Sequence, residues 1–306
     1  MTSDARGDPT QGTGMNESKM DESLVASARM ARRFSLEHCP HTASGDCAWY
    51  HGVWQYFRAL GVTKTAGGSA DFLGATLRSL AAAGDVRRAL ISGAADDAMS
   101  LLAIDAFRDA GKSLDLTVVD RCETPLALAR WSAERLGASV TTHCSDVLTF
   151  DSTAPFDIVM TNSFLGAFDP GRRTQLFARW ASLLRPGGKL LFTNRLRPGD
   201  GHAQLGFTPD QARGFCAAVR RAAERAKADL GLDPDVVERW ARVYTEHYRS
   251  YPVRTVDEVL VLLRTAGFVP DRVDTARVAG RAGDDAVAGP SVAERADYVR
   301  LLATRS

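Results

Sequence analysis

No run in the 306-residue sequence approaches the roughly 20 consecutive apolar residues that a bilayer-spanning helix requires. The opening MTSDARGDPTQGTG has no apolar h-region of the kind an export signal needs, so neither secretion nor membrane insertion is expected. Net charge is also missing: 38 basic against 37 acidic side chains leave +1, and no sequence-wide field draws in nucleic acid or acidic lipid. The five cysteines, Cys39, Cys47, Cys122, Cys144 and Cys216, are odd in number and lack a disulfide rhythm, which favours reduced thiols and a cytoplasmic protein. Glycine is scarce where a dinucleotide fold would want it most. The turn after the first strand reads SGAADD, without the GxGxxG that lets a pyrophosphate settle on a helix end. What is left is an ordinary globular composition, 45% hydrophobic and 8% aromatic, enough for one large domain or a domain with an appendage.

Residues 86–124 organise the rest. Residues 88–92 read as a short buried strand, Gly93, Ala94 and Ala95 as a tight turn, and residues 96–110 as a helix whose apolar positions recur at helical spacing. A second strand, apolar at nearly every position of 114–119, ends at Asp120. Small residues in the turn let the backbone approach a ligand, and an acid at the second strand's tip can accept both hydroxyls of a ribose, so a nucleoside-bearing cofactor without phosphates fits this βαβ unit. The alternation continues with a helix over 126–136, a strand over 138–143 followed by Asp146, and a strand over 156–161 running into Asn162, Ser163 and Phe164. Asp169-Pro170 opens a helix, and Pro186-Gly187-Gly188 turns it into a fifth strand over 189–194. This rhythm predicts an α/β fold with a mostly parallel sheet and helices on both faces. Ligands of such sheets sit beyond the carboxyl ends of the strands, where Ser92, Gly93, Asp96, Asp120, Arg121, Asp146, Val147, Asn162, Ser163, Phe164 and residues 194–197 converge.

In order and spacing, ALISGAADD, TVVDRCE, HCSDVLTF, FDIVMTNSFLG and LLRPGGKLLFTN resemble the successive motifs of the class I S-adenosylmethionine-dependent methyltransferases over residues 86–197. The resemblance implies a Rossmann-like seven-stranded sheet with its last strand antiparallel, formed by strands over 268–278 and 295–304. It implies S-adenosylmethionine as cofactor, with Ser92, Gly93, Ala94 and Ala95 beside its methionine part, Asp120 at the ribose, Asp146 and Val147 at the adenine, Asn162, Ser163 and Phe164 at the methyl donor, and Arg121 among the cofactor-binding residues. More narrowly, WYHGVWQYFRALG, SGAAD and DRCETPL resemble bacterial members found beside natural-product pathways. One departure stands out: a single glycine remains in the first turn, and Asp96 and Asp97 add two charges to it. One of them would pair with the cofactor's ammonium while Arg121 or Arg58 compensates its carboxylate; alternatively both are simply favourable charge at a helix N-terminus.

The flanks are individual to this chain. Residues 1–20 are expected to be a disordered tail, 21–85 a helical N-terminal lid segment, and 86–306 the main domain with a helical substrate-cover insertion at about 198–265. The lid segment contains helices over 23–34 and 72–83 and, between them, Trp49, Tyr50, Trp54, Tyr56 and Phe57 in one short helix. In the insertion, Thr208 to Gln211 is a capping box opening a helix to about Leu230, and Asp233-Pro234 opens another on which Trp240, Tyr244, His247, Tyr248 and Tyr251 share a face. Thr255 to Glu258 reads as a second capping box. The two aromatic segments are expected to meet over the crevice, with His51 and His247 as candidate bases and Tyr50 and Tyr248 as orienting groups, each weighed equally against plain packing. Cys39, His41, Cys47 and His51 make a C-x-H-x5-C-x3-H pattern, whose first gap is tighter than the usual two to four or so residues of zinc sites, so no metal is expected. The expected activity is methyl transfer to a small molecule, a secondary metabolite by the narrower resemblance, with no nucleic-acid or membrane partner. A homodimer or pathway partner protein stays open. Two alternatives stand beside it: a repurposed enzyme catalysing elimination or cyclisation, favoured by the glycine-poor acidic turn, and a non-catalytic assembly partner, favoured by the aromatic surface.

Overall fold

In the computed structural model, which describes residues 22–42, 45–63, 69–199, 203–279, 289–290 and 295–306, the sheet is divided by side-chain alternation. Along β1 (Arg88–Ser92), Ala89 and Ile91 point to one face and Leu90 to the other. The split repeats in β4 (Phe156–Asn162), where Ile158 and Met160 oppose Val159, and in β5 (Leu184–Arg195), where Leu191 opposes Leu190 and Phe192. Both faces are apolar because both are covered. α4 (Ala70–Ala83), α5 (Ala98–Asp109) and α6 (Glu123–Arg135) bury Leu77, Phe107 and Leu126 on the first face. α7 (Pro170–Leu183) and α11 (Val256–Thr265) bury Phe177, Trp180 and Leu263 on the second.

β2 (Asp115–Asp120) and β3 (Thr141–Cys144) extend the sheet on one side of β1, and β4 and β5 on the other, all parallel. β7 (Arg295–Arg305) is antiparallel to β5 and to β6 (Phe268–Ala279), giving the order β3-β2-β1-β4-β5-β7-β6. The fold is thus the expected seven-stranded α/β sheet with its last strand antiparallel. Between β1 and β4 the connections leave in opposite directions, which opens a crevice at their carboxyl ends.

A third core belongs to the added helices. α1 (Glu22–His38), α2 (Ala48–His51) and α3 (Trp54–Ala59) pack with α8 (Pro209–Arg225), α9 (Lys227–Leu230) and α10 (Pro234–His247). Its centre is Tyr244, fully buried, with the rings of Trp49, Tyr50, Trp54, Phe57, Phe207, Phe215 and Tyr248 centred 5.3 to 6.4 Å from its own. The two aromatic segments therefore meet. No helix among the described residues is long and apolar enough to cross a membrane. The expected tail over 1–20, and most of the loops over 65–68 and 281–294, lie outside the described residues.

Local differences from expectation have local causes. The helix over 208–230 is broken at Ala226, with no glycine or proline to mark it. α6 begins at Glu123 because the Cys122 sulfur caps it, accepting from the Thr124 amide at 3.4 Å. β5 already starts at Leu184, since a register shift between the Phe156 and Ile158 pairings absorbs Pro186-Gly187-Gly188. Asp169, Thr208 and Asp233 cap their helices as expected. Thr255 forms only half of its box, because the Glu258 carboxylate turns instead to the Arg254 amide at 2.9 Å and to Arg173 at 2.7 Å. Tyr248 and Tyr251 lie beyond the end of α10 and so leave the expected helical face.

Arg173 is wholly buried. Its Nε donates to the Leu165 carbonyl at 3.2 Å and its Nη2 to the Tyr251 and Pro252 carbonyls at 2.9 and 3.1 Å, which holds two loops that border the crevice. Replacing it with leucine removes these donors and leaves Glu258 uncompensated. Arg173→Leu should lower the unfolding free energy by about 3–5 kcal/mol in urea titration, and a loss under ~1 kcal/mol would contradict this role.

Candidate active site

The first turn is built around the one glycine that composition left there. Gly93 has φ +75°, and a Cβ on it would stand 2.3 Å from the Phe164 ring, so both backbone and packing demand glycine. Its amide donates to the Val119 carbonyl at 2.9 Å, stitching the turn to β2. The next amide, of Ala94, donates to Asp120 Oδ2 at 2.9 Å, while the Cys122 amide donates to Oδ1 at the same distance. Burial pushes the Asp120 carboxyl up, against the pull of His51 and these two amides. Each carboxylate oxygen still has acceptor capacity for a ligand hydroxyl.

Around this turn three adjoining cavities follow the carboxyl edge. The largest, about 280 Å³, is bordered by residues 93–95, Asp120, Asn162, Ser163, Phe164, Tyr50, His51 and Tyr248. A space of about 120 Å³ beyond Phe164 is lined by Arg121, Asp146, Val147 and Arg172, and shares Asp120 with the first. An inner space of about 110 Å³ adds Trp54, Asp96, Met99, Asn194, Arg195, Arg197 and Tyr298. Ser163, at the end of β4, is the only non-glycine residue with positive φ among those described, at +54°. Backbone held in that region is strained, and such strain collects at ligand sites.

Most residues expected at the site are therefore together: Gly93, Ala94, Ala95, Asp120, Arg121, Asp146, Val147, Asn162, Ser163 and Phe164 line the cleft, as do Tyr50, His51 and Tyr248. Ser92 does not. It is buried under the turn, its hydroxyl accepting from Trp180 Nε1 at 2.9 Å and its carbonyl from the Thr161 hydroxyl at 2.7 Å. His247 does not line it either. Its ring stacks on Trp49 with centroids 5.6 Å apart, and its Nδ1 lies 2.9 Å from the Val243 carbonyl. His247 is the last residue of α10 and exposed, whereas Tyr248 follows the helix in extended backbone and borders the cavities.

The two acids of the first turn part ways. Asp97, 2% exposed, accepts from Ser27 at 2.8 Å, Ser132 at 2.7 Å, Gln55 at 2.9 Å and Arg58 at 3.1 Å. It joins α1, α3 and α6 and does not border the cavities. Asp96 does, accepting from Trp54 Nε1 at 3.2 Å with Arg58 3.8 Å away; burial pushes its carboxyl up, against the pull of Arg58. Arg58 thus neutralises the acids themselves, and Arg121 stands at the opposite end beside Asp146. Arg195, at the inner end, is pushed down to about 10 by burial and by Arg197. Burial likewise pushes the Tyr50 phenol well up, helped by Tyr248, Asp96 and Asp120.

Sequence reasoning missed Trp54, Met99, Gly166, Ser250 and Tyr298 as wall residues. Tyr298 arrives through the pairing of Arg195 with Tyr298 between β5 and β7, which no local pattern encodes. The pattern weighed in the sequence, with His41 in it, is not the group that assembles: His41 is exposed, while Cys122 from the β2–α6 turn joins Cys39, Cys47 and His51. Hydrogen bonds with the Cys39 and Cys47 thiols hold Cys122 below the ordinary thiol range, and the same contacts push Cys47 up.

Residues 101–188 match a family model described as a methyltransferase domain. The matched stretch contains Asp120, Asp146, Asn162, Ser163 and Phe164. No curated protein matches the chain in sequence. Among solved structures, the Burkholderia thailandensis 1,6-didemethyltoxoflavin-N1-methyltransferase with bound 1,6-didemethyltoxoflavin and S-adenosylhomocysteine is similar over 92% of this chain and 89% of that one, at 19% identity and TM-score 0.50. The magnesium protoporphyrin IX methyltransferase of Synechocystis PCC 6803 with bound S-adenosylhomocysteine is similar over 82% and 87%, at 14% identity and TM-score 0.46. The first of these likenesses supports the fold.

Gly93→Ala should cost about 1–2 kcal/mol through its left-handed backbone alone, and more as the new methyl displaces Phe164. Thermal unfolding compared with Gly84→Ala, where φ is +80° but no atom lies within 4 Å, separates strain from clash. Equal losses in the two would deny the close approach of Phe164.

Proposed function

We propose that this chain transfers a methyl group from S-adenosylmethionine to a small-molecule acceptor. The observation that carries the reading is Asp120, locked by the Ala94 amide across a one-glycine turn and facing a cleft that runs from Asp146 to an aromatic cap. In this reading Asp120 accepts the ribose hydroxyls, Asp146 and Val147 border the adenine, and residues 93–95 pass the methionine part, whose ammonium meets Asp96. The cofactor supplies an electrophilic methyl on a sulfonium. The protein's work is to align an acceptor for in-line attack and to exclude water.

The acceptor would occupy the inner space between Ser163, Tyr50, Tyr248 and Tyr298, where Arg195 and Arg197 supply positive charge. Tyr50 and Tyr248 orient it by hydrogen bonding, Tyr50 as a protonated phenol that donates. His51, the other candidate on this wall, contributes a ring nitrogen to the thiol cluster. A secondary metabolite is the acceptor class we favour, from the likeness of the aromatic lead-in to natural-product enzymes. The acidic turn that would favour elimination or cyclisation loses half its weight, since Asp97 serves as a structural anchor. The aromatic surface that would serve assembly is largely consumed in the core around Tyr244.

Calorimetry with S-adenosylmethionine tests the seat. Asp120→Ala removes two charge-assisted hydrogen bonds, worth about 1.5–3 kcal/mol each before non-additivity, and should weaken binding tenfold or more; unchanged affinity would sink the assignment. Tyr50→Phe and Tyr248→Phe should slow turnover to S-adenosylhomocysteine while leaving cofactor affinity within about twofold. Full activity in both would reduce the tyrosines to packing.

A further inference from the structure

The thiol cluster adjoins the cofactor seat, since the Cys122 amide donates to Asp120 Oδ1, but its chemistry does not rest on the reading just given. We propose that Cys39, Cys47, His51 and Cys122 form a closed, four-coordinate zinc site that fastens the N-terminal helices to the edge of the sheet. Their four donor atoms all lie within 4.8 Å of one another. Zinc–sulfur bonds of about 2.3 Å in a tetrahedron put sulfur atoms about 3.8 Å apart. The Cys39 and Cys122 sulfurs are 3.8 Å apart and those of Cys47 and Cys122 3.5 Å apart, so these two pairs already stand within a few tenths of an ångström of tetrahedral spacing.

The second observation comes from the histidine. His51 Nδ1 is buried and has no hydrogen-bond partner, an expensive state for an imidazole nitrogen unless something else takes its lone pair. A metal ion among the three sulfurs would do so. Three thiolates and one imidazole are a soft set that suits zinc and is unsuited to magnesium or calcium, which take oxygen.

Local structure explains why the ligands converge. Cys47 is the N-cap of α2 and His51 its last residue, four positions on, so both project from the same side of one turn. Cys39 is fully buried where α1 passes into a 3-10 turn at Pro40. Cys122 is set by Asp120, whose Oδ1 holds its amide. Outer partners are in place too: the Thr124 hydroxyl lies 3.2 Å from the Cys39 sulfur, and the Thr124 amide donates to that of Cys122. Such donors fix ligand orientation and temper thiolate charge. With all four positions supplied by protein, the site is structural and leaves His51 no lone pair for proton transfer.

The reduced full-length chain, stripped of metal and titrated with Co²⁺ against a competing chelator, should bind one equivalent. It should show the intense ligand-field bands of a tetrahedral ion with sulfur-to-cobalt charge transfer, and Zn²⁺ should then displace the cobalt. Cys122→Ser and His51→Ala should weaken cobalt binding at least tenfold. His41→Ala, adjacent in sequence but outside the cluster, should bind as the parent does. Absence of a tetrahedral spectrum in the parent chain would overturn the proposal, as would a Cys47–Cys122 disulfide found by mass spectrometry in protein purified under reducing conditions. The readout is metal binding, so it stands or falls apart from methyl transfer.

Discussion

One buried carboxylate holds the two halves of this molecule together. Asp97 sits at the N-terminus of α5, on the sheet, yet its donors come from α1, α3 and α6. An ionised group this deep is tolerated only when its lone pairs are filled, and here two hydroxyls, an amide and a guanidinium fill them. The position of the N-terminal helices, and with them the wall formed by Tyr50 and Trp54, follows from meeting that demand.

The same logic shows why the acidic turn could not be read correctly from sequence. Asp96 and Asp97 are adjacent and chemically identical, and either could have faced a ligand. Which of them does is decided by Ser132 on α6 and by Ser27 and Gln55 on the added helices, residues 35 to 70 positions away. The sheet was far more legible. β1, β2 and β4 are short apolar runs, and the order of the sheet follows from the regular βα alternation together with a family resemblance. Helix starts at Asp169, Thr208 and Asp233 were visible because capping is written in adjacent residues. The break at Ala226 was not, since it has no local signature.

The site divides along the same line. Residues contributed by a strand and the turn just after it, such as Gly93, Asp120 and Asn162, could be placed because topology alone brings strand ends together. Residues contributed across the sheet or from packed helices, such as Tyr298, Trp54 and Cys122 in its thiol cluster, depend on pairings of distant segments. His247 shows the opposite error: helical periodicity put it on the face of Tyr244, yet as the last residue of α10 it is exposed and stacks on Trp49.

The strand order carries a consequence for how the molecule comes into being. The strands that border Asp120 and Asp146 are consecutive in the chain from β1 to β4, whereas the strand carrying Tyr298 is β7, which must slot between β5 and β6. During synthesis the nucleoside half of the cleft can therefore condense while the acceptor half still has an open edge on β5. Folding proceeds from the amino end as the ribosome moves, so a nascent chain passes through a stage with a finished seat and no Tyr298 beside Arg195. In that interval β5 presents an unpaired edge, and its closure depends on the strand that is translated last of the seven.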